Sequence, residues 1–412
     1  MNEHNYNNKK GARDGPNQIR VLQLITPMTL GGAERVVLSI QEWIGARNGV
    51  EGQTDHLTIP QWEGVNFVSS LGIFIHIESH NNAFLREVKD RGYPYVIFPM
   101  RFAFDLANLI QLIKYLKTNQ IQLLHTHGYR SDIVGIICAR MARIPVVSTL
   151  HGWTSTNWRV KGYEKIQLWS LPFFTAIIAV SREIKEYVVN KIKINSNKII
   201  VIQNAVDLPK RLESRALAES RGRIRHQFGC APDALVIGYV GRLSPEKNLA
   251  DLLKAVSLLI PRLPKLFCWI VGEGPDRLTL EEQARNLGIS HRVCFLGFQK
   301  EVSHIYMALD VLAISSLTEG TPLAILEAMS FGVPVVSTQV GGIGAILEHG
   351  VDGLLVKPGD VVALANSMER VLTNPELAKM LGESAREKVR KDFSLSQWIQ
   401  KIRSVYWSCL KD

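Results

Sequence analysis

Cysteine is scarce and scattered. The five residues, Cys138, Cys230, Cys268, Cys294 and Cys409, include no C-x-x-C pair and are odd in number, so neither a disulfide framework nor a cysteine-rich zinc site is expected. They fit a reducing compartment, each as a small buried hydrophobe. No Asp-x-Asp occurs, so the carboxylate pair that commonly clamps a divalent ion against a diphosphate is missing. Long apolar runs are absent too. The most apolar window, Leu168 to Val180, is broken by Ser170, Pro172 and Thr175 and falls short of the roughly 20 residues that span a bilayer. It reads as a buried strand with its lead-in. Met1 to Asn17 is polar, lacks the apolar stretch of an export signal and is expected to be a disordered tail. Acid is in deficit: 38 Asp and Glu face 48 Lys and Arg, a net charge of +10. A basic surface suits nucleic acid, anionic lipid or a phosphorylated substrate, and charge does not choose among them. No helix-turn-helix, zinc finger or base-stacking motif appears, so nucleic acid is not an expected partner.

What remains is 412 residues, 46% hydrophobic and 21% charged, too long for one compact core. From Ile19 onward, short apolar runs alternate with amphipathic stretches, the pattern of parallel sheets with helices on both faces. Strands are predicted in the first half at Arg20 to Ile25, Asp55 to Ile59, Tyr95 to Phe98, Ile121 to His125, Val146 to Leu150, Ala176 to Val180 and Ile199 to Ile202. Pro209 and Pro232 then bracket an Arg-rich stretch whose later part, Glu213 to Phe228, reads as a solvated helix. A second alternating series follows, with strands at Leu235 to Val240, Leu266 to Val271, Arg292 to Leu296, Val311 to Ile314, Val335 to Ser337 and Gly353 to Val356. The expected organisation is a tail (1–17), an α/β domain (18–205), a linker (206–232), a second α/β domain (233–392) and a C-terminal helix (393–412). That helix has an apolar face, with Trp398, Ile402 and Tyr406, and is expected to pack back on the first domain.

The strongest chemical signal is Glu319-Gly320-Thr321-Pro322-Leu323-Ala-Ile-Leu-Glu327, after an apolar strand and opening a helix at Pro322. Proline suits the first helical turn, and the free N–H groups there, with the positive end of the helix dipole, make a ready diphosphate site. Glu327 lies roughly 7 to 8 Å along the axis from the loop that holds Glu319. One carboxylate can therefore address a sugar while the other addresses a ribose. A second element, Gly241-Arg242-Leu-Ser-Pro-Glu-Lys247, also ends a strand. Arg242 offers a planar fork and Lys247 a point charge, a pair suited to cancelling charge on a leaving diphosphate. With no carboxylate clamp, these two cations and the helix start would stand in for a metal, so no metal or cofactor is expected. After the first strand, Gly31-Gly32-Ala-Glu34 would let backbone approach a phosphate closely. His125, His127 and His151 sit at strand ends. His151 is expected to project into a cleft between the domains and bond a sugar hydroxyl, while the spacing of His125 and His127 does not suit a metal.

Together these motifs resemble family 4 of the retaining glycosyltransferases. The likeness also runs through His125-Thr-His127-Gly-Tyr-Arg130-Ser-Asp, Val180-Ser-Arg182, Asn204-Ala-Val-Asp207, Val271-Gly-Glu-Gly-Pro275 and Gly353-Leu-Leu-Val. The resemblance implies the GT-B fold of two facing Rossmann-like domains with a cleft between them, and transfer of a sugar from a nucleotide-diphosphate sugar to an acceptor hydroxyl. It implies Glu319 beside the donor sugar, Glu327 on the ribose, Arg242 and Lys247 on the diphosphate, and His151 near an outer sugar hydroxyl. Gly31, Gly32, Gly320, Thr321, Pro322 and Leu323 would complete the donor site, and Glu34, His127 and Arg130 would face the acceptor. Where the family commonly reads Gly-Gly-x-Pro-Glu, this chain has Gly341-Gly342-Ile-Gly344-Ala345. By analogy, the acceptor is a lipid-linked or polysaccharide intermediate of envelope synthesis, met at the cytoplasmic face of an anionic membrane. Arg86, Lys89, Arg91, Arg101, Lys114 and Lys117, with Phe102, Phe104 and Trp158, would form a basic, aromatic surface there. The alternatives are a nucleotide-sugar epimerase on the same fold and a basic binding protein without catalysis.

Overall fold

The computed structural model describes residues 18–27, 31–45, 65–76, 82–100, 105–152, 158–209 and 214–411. The chain divides into two compact units, 1–203 with 398–412, and 204–397.

In the first unit, β1 (Gln18–Ile25), α1 (Gly32–Gly45), β2 (Asn66–His76), α2 (Ala83–Asp90) and β3 (Tyr95–Met100) build one half. The other half runs through α3 (Leu106–Thr118), β4 (Leu123–His127), α4 (Tyr129–Ala142), β5 (Val146–Leu150), α5 (Trp158–Ser170), β6 (Ala176–Ala179), α6 (Arg182–Ile192) and β7 (Ile199–Val201). The seven strands pair in the order β3-β2-β1-β4-β5-β6-β7, all parallel. Every residue of β4 and β5 is buried, because helices cover both faces. The chain reverses its winding between β1 and β4, the point at which open α/β sheets gather ligands.

Successive residues of a strand face opposite ways, and here they separate two cores. Ile73 of β2 joins the core with Phe84 and Val88 of α2, whereas Phe74 joins the core with Leu112 and Leu116 of α3. Helices α2 and α3 therefore lie on opposite faces. This corrects the single basic surface expected from Arg86, Lys89, Arg91, Lys114 and Lys117. Arg91 is moreover paired with Glu87 and Glu42. Arg101, Phe102 and Phe104 lie outside the described residues, as does the strand expected at Asp55 to Ile59.

The second unit opens with α7 (Ser214–Gln227), followed by β8 (Leu235–Val240), α8 (Leu249–Leu259), β9 (Leu266–Val271), α9 (Arg277–Asn286), β10 (Val293–Gly297) and α10 (Ser303–Ala308). It continues with β11 (Val311–Ile314), α11 (Leu323–Ser330), β12 (Val335–Thr338), β13 (Leu354–Val356), α12 (Val361–Thr373) and α13 (Pro375–Asp392). Its sheet is again parallel, in the order β10-β9-β8-β11-β12-β13, with the switch point between β8 and β11.

Helix α7 is not the solvated helix its charge suggests. Arg225 is buried, and its guanidinium donates to the carbonyls of Ala308, Pro232 and Ala234 and to the Asp310 carboxylate at 2.7 Å. Asp310 also pairs with Arg221 and accepts from the Val236 N–H. The last helix, α14 (Leu395–Lys411), contributes residues from Trp398 onward to the first unit. Tyr406 packs against Phe67 with ring centroids 5.9 Å apart, and Arg403 donates to the Trp43 carbonyl.

Candidate functional site

In the second unit the polar residues meet at the carboxyl ends of β8, β9, β11 and β12. The loop after β8 is stitched to its neighbours by backbone bonds: Gly241 N–H donates to the Val271 carbonyl, Leu243 N–H to the Glu273 carbonyl, and Leu317 N–H to the Glu246 carbonyl at 2.8 Å. The approach is close enough to need glycine. A Cβ on Gly272, at φ +130°, would lie 1.9 Å from the Gly241 carbonyl oxygen.

Lys247 and Glu319 are brought together by this stitching. Lys247 Nζ donates to Glu319 Oε1 at 2.7 Å, and Ser316 Oγ donates to the same oxygen at 2.7 Å. The side chains are 18% and 10% exposed, so the pair is shielded yet reachable. Beyond Glu319, Pro322 is the N-cap of α11 and not its first helical residue; its φ of −69° and ψ of 115° are extended, and no side chain caps the helix. The first-turn N–H groups are thus left for an anion. Thr321 is buried, and its carbonyl accepts from Asn204 Nδ2 at 2.9 Å, which fixes the loop leading into the helix. Gly320, Leu323 and Glu327 are half-buried around this start. Glu327 accepts a 2.7 Å bond from the Tyr306 hydroxyl, which orients it on the face of α11.

The Gly341-Gly342 loop, whose departure from the family pattern left its part open, packs directly on Glu319. Gly342 N–H donates to the Glu319 carbonyl, and a Cβ on Gly341, at φ +48°, would lie 1.9 Å from that oxygen. Arg242 is exposed, and its carbonyl accepts from the Tyr239 hydroxyl. Its charge acts on Asp276, whose carboxyl is raised by burial and by Glu246 and held back by Arg242. Asn204, Tyr239, Tyr306, Ser316 and Gly341 were not singled out as site residues from sequence; Asn204 and Gly341 appeared only in stretches compared with the family, and Tyr239, Tyr306 and Ser316 carried no signal.

The first unit holds the remaining candidates. Gly31 and Gly32 open α1, and Glu34 turns back so that its Oε2 accepts from the Gly31 N–H at 3.1 Å, the reciprocal bond of a capping box. Nothing lies within 4 Å of a Cβ placed on Gly32, so the backbone there is open to approach. Arg130 lies in the first turn of α4, whose N-cap Gly128 carries no side-chain cap. Its guanidinium lies 5.8 Å from the Tyr129 ring, which stacks on Tyr163, and its Nε is buried without a partner.

His127 is buried, which does not suit the direct acceptor contact expected of it. Its Nε2 lies 2.9 Å from Gln23 Oε1 and its Nδ1 3.4 Å from His151 Nε2. His125, also buried, bonds Tyr406 Oη and Thr149 Oγ1, each at 2.7 Å. Three of these rings therefore spend nitrogens on one another and on neutral partners. Burial lowers the pKa of His151 to about 4 and of His125 to about 3, and holds His127 well below the ordinary range. All three are neutral imidazoles near pH 7. Behind them, Asp132 accepts from Thr126, Ser148 and Gln167, and burial raises its pKa to about 6.

Two doubly wound parallel sheets, each with polar residues at its switch point, define the GT-B class of glycosyltransferases. Residues 220–388 match the family described as Glycosyl transferases group 1, and residues 70–210 match Glycosyltransferase Family 4. The chain is 30% identical over 311 residues to the UDP-Gal:alpha-D-GlcNAc-diphosphoundecaprenol alpha-1,3-galactosyltransferase of Escherichia coli, covering 73% of this chain and 79% of that one. It is 26% identical over 358 residues to the N-acetyl-alpha-D-glucosaminyl L-malate synthase of Bacillus anthracis, covering 84% and 90%. The crystal structure of Anabaena HepE in complex with UDP-glucose shares the fold, with a TM-score of 0.79 at 23% identity over 95% of this chain and 100% of that one. The chain belongs to glycosyltransferase family 4 and is a glycosyltransferase.

Proposed function

We propose that the protein transfers a sugar, with retention of configuration and without a metal, from a nucleotide-diphosphate sugar to a hydroxyl of a lipid-linked or polysaccharide intermediate of envelope synthesis. The observation that carries this reading is the Lys247–Glu319 pair, 2.7 Å apart, at the mouth of the uncapped α11. The diphosphate sits on the α11 N-terminus, with Lys247 and Arg242 balancing its charge. Glu327 holds the ribose, Glu319 the sugar, and His151 an outer sugar hydroxyl. The acceptor hydroxyl attacks the anomeric carbon from the side the diphosphate leaves. As that C–O bond breaks, its electron pair goes to the diphosphate, and the hydroxyl proton passes to a phosphate oxygen. No protein nucleophile is required, which suits a site whose carboxylate is held by Lys247 and Ser316. The relatives' printed names, which include a UDP-galactose donor and a diphosphoundecaprenol acceptor, support a UDP-sugar and a lipid-linked acceptor.

A ligand at 100 times its dissociation constant stabilises by about 2.7 kcal/mol. UDP is therefore expected to raise the melting temperature in EDTA, and an α-configured donor to give an α-linked product with no epimer formed from donor alone. If UDP, GDP and ADP all leave melting unchanged, the donor site is misassigned.

Peripheral contact with an anionic membrane belongs to the same reading. Among the described residues, no helix is long and apolar enough to cross a membrane. Adjacent helices α3, α4 and α5 nonetheless expose Leu106, Ile110, Met141 and Trp169, the last 75% accessible, and Phe173 follows directly. Lys114, Lys117, Arg140, Arg143 and Lys165 on these helices are exposed, while their two acids are the buried Asp132 and the half-buried Glu164. Exposed apolar side chains mixed with an excess of exposed cations match an anionic bilayer surface. Sedimentation with phosphatidylglycerol vesicles is expected, weakened by salt, by phosphatidylcholine alone, and by the double variant Trp169→Ser/Phe173→Ser. Protein that stays in the supernatant with phosphatidylglycerol at low salt would refute the contact.

A further inference from the structure

The buried polar chain in the first unit joins the C-terminal helix to His151, and its bonds run in one direction. Gln23 Nε2 donates to Tyr406 Oη at 2.9 Å. The single Tyr406 hydroxyl proton is then left for His125 Nδ1, so His125 carries its own proton on Nε2 and donates it to Thr149 Oγ1. The other end of the same amide, Gln23 Oε1, can only accept, so the proton of His127 is on Nε2. A neutral His127 has a lone pair at Nδ1, and that lone pair faces His151 Nε2 at 3.4 Å. The contact is satisfied only if His151 donates from Nε2.

We infer that Tyr406 and Gln23 are positioning residues that, through His127, hold His151 as the Nε2–H tautomer, with Nδ1 as a hydrogen-bond acceptor for a hydroxyl. Nδ1 of His151 makes no hydrogen bond among the described residues, and the side chain is half-buried, so that nitrogen is the one left for a ligand. The chemistry it selects is an O–H donor, as on a sugar, and not a lone acceptor such as a phosphate oxygen. Low-lying imidazole pKa values agree, since a cationic His151 would present N–H at both positions. The orientation is set from far away in sequence. Tyr406 lies in α14, and the Gln23 amide that links it to His127 lies in β1. The inference rests on the reading of His151 as a sugar contact only for its consequence, because the tautomer itself belongs to the first unit.

The test is the ring-nitrogen spectrum of 15N-histidine-labelled full-length protein, with turnover measured alongside. In the wild type, His151 is expected to show a protonated, pyrrole-type Nε2 and a bare, pyridine-type Nδ1. In Tyr406→Phe, which keeps the ring against Phe67 and removes only the hydroxyl, the Gln23 amide loses its anchor. The His127 and His151 signals are then expected to shift toward a mixture of tautomers, and kcat to fall about tenfold with KM for the donor changing less. A wild-type His151 protonated on Nδ1, or on both nitrogens at pH 7, would overturn the inference. So would a folded Tyr406→Phe with wild-type signals and turnover. If Tyr406→Phe does not fold, Gln23→Glu, which can still accept from His127 but cannot donate to Tyr406, is read in the same way. His151→Ala separates the two readings: undiminished transfer there would remove His151 from the donor site and leave its tautomer assignment standing.

Discussion

Glu319→Gln is expected to lower kcat by about 100-fold or more, the scale seen when one pre-aimed group is lost from a charge-developing site. The fold should survive it. An amide oxygen can still accept from Lys247 Nζ and Ser316 Oγ, which now both meet Oε1 of the carboxylate at 2.7 Å. What disappears is the negative charge, so the cost in stability should stay near 1 kcal/mol, a shift of a few degrees in melting temperature. The two readouts separate chemistry from structure. Turnover within twofold of wild type, with melting unchanged, would take Glu319 out of the mechanism.

Lys247→Ala is expected to be similarly damaging for a different reason. Its side chain is 18% exposed and that of Glu319 10%, so removal leaves the Glu319 carboxylate shielded from water with Ser316 as its one remaining side-chain donor among the described residues. Loss of one partner from such a pair costs about 1–3 kcal/mol, and the variant should melt several degrees lower. At temperatures well below that transition, kcat should still be down about 100-fold, because the diphosphate leaves without the cation that balances it. Affinity for UDP should weaken as well. Lys247→Arg is not expected to rescue, since a longer planar fork cannot place a point charge on both Glu319 and the leaving group. A Lys247→Ala enzyme with wild-type kcat would show that the charge released in the reaction is met elsewhere.

Much of the molecule could be read along the chain. The strands at Leu235 to Val240, Leu266 to Val271 and Val311 to Ile314 are those observed, because a buried parallel strand is a short apolar run bounded by turn residues and carries its own signal. β2 was not legible. Ser69, Ser70 and Gly72 interrupt its apolar run and read as turn residues, yet Ser69 is buried with its carbonyl bonded by Gln41, and a Cβ on Gly72 would meet Leu24 at 3.0 Å. The Arg-rich α7 misled in the opposite sense. Arg225 reads as solvated until Ala308 and Asp310, more than 80 residues away in sequence, supply its acceptors.

By itself, the sequence determined the two parallel sheets, the loops at their strand ends and the placing of Glu319 in the loop just before the helix that carries Glu327, since each depends on periodicity or on spacing within a few residues. Only the tertiary structure decided which of those groups meet. Lys247 reaches Glu319, Gly341 presses on the Glu319 carbonyl, and His127 is buried between Gln23 and His151. Hydrogen bonds and close contacts act over about 3 Å in space, without regard to distance along the chain, so no local pattern records them.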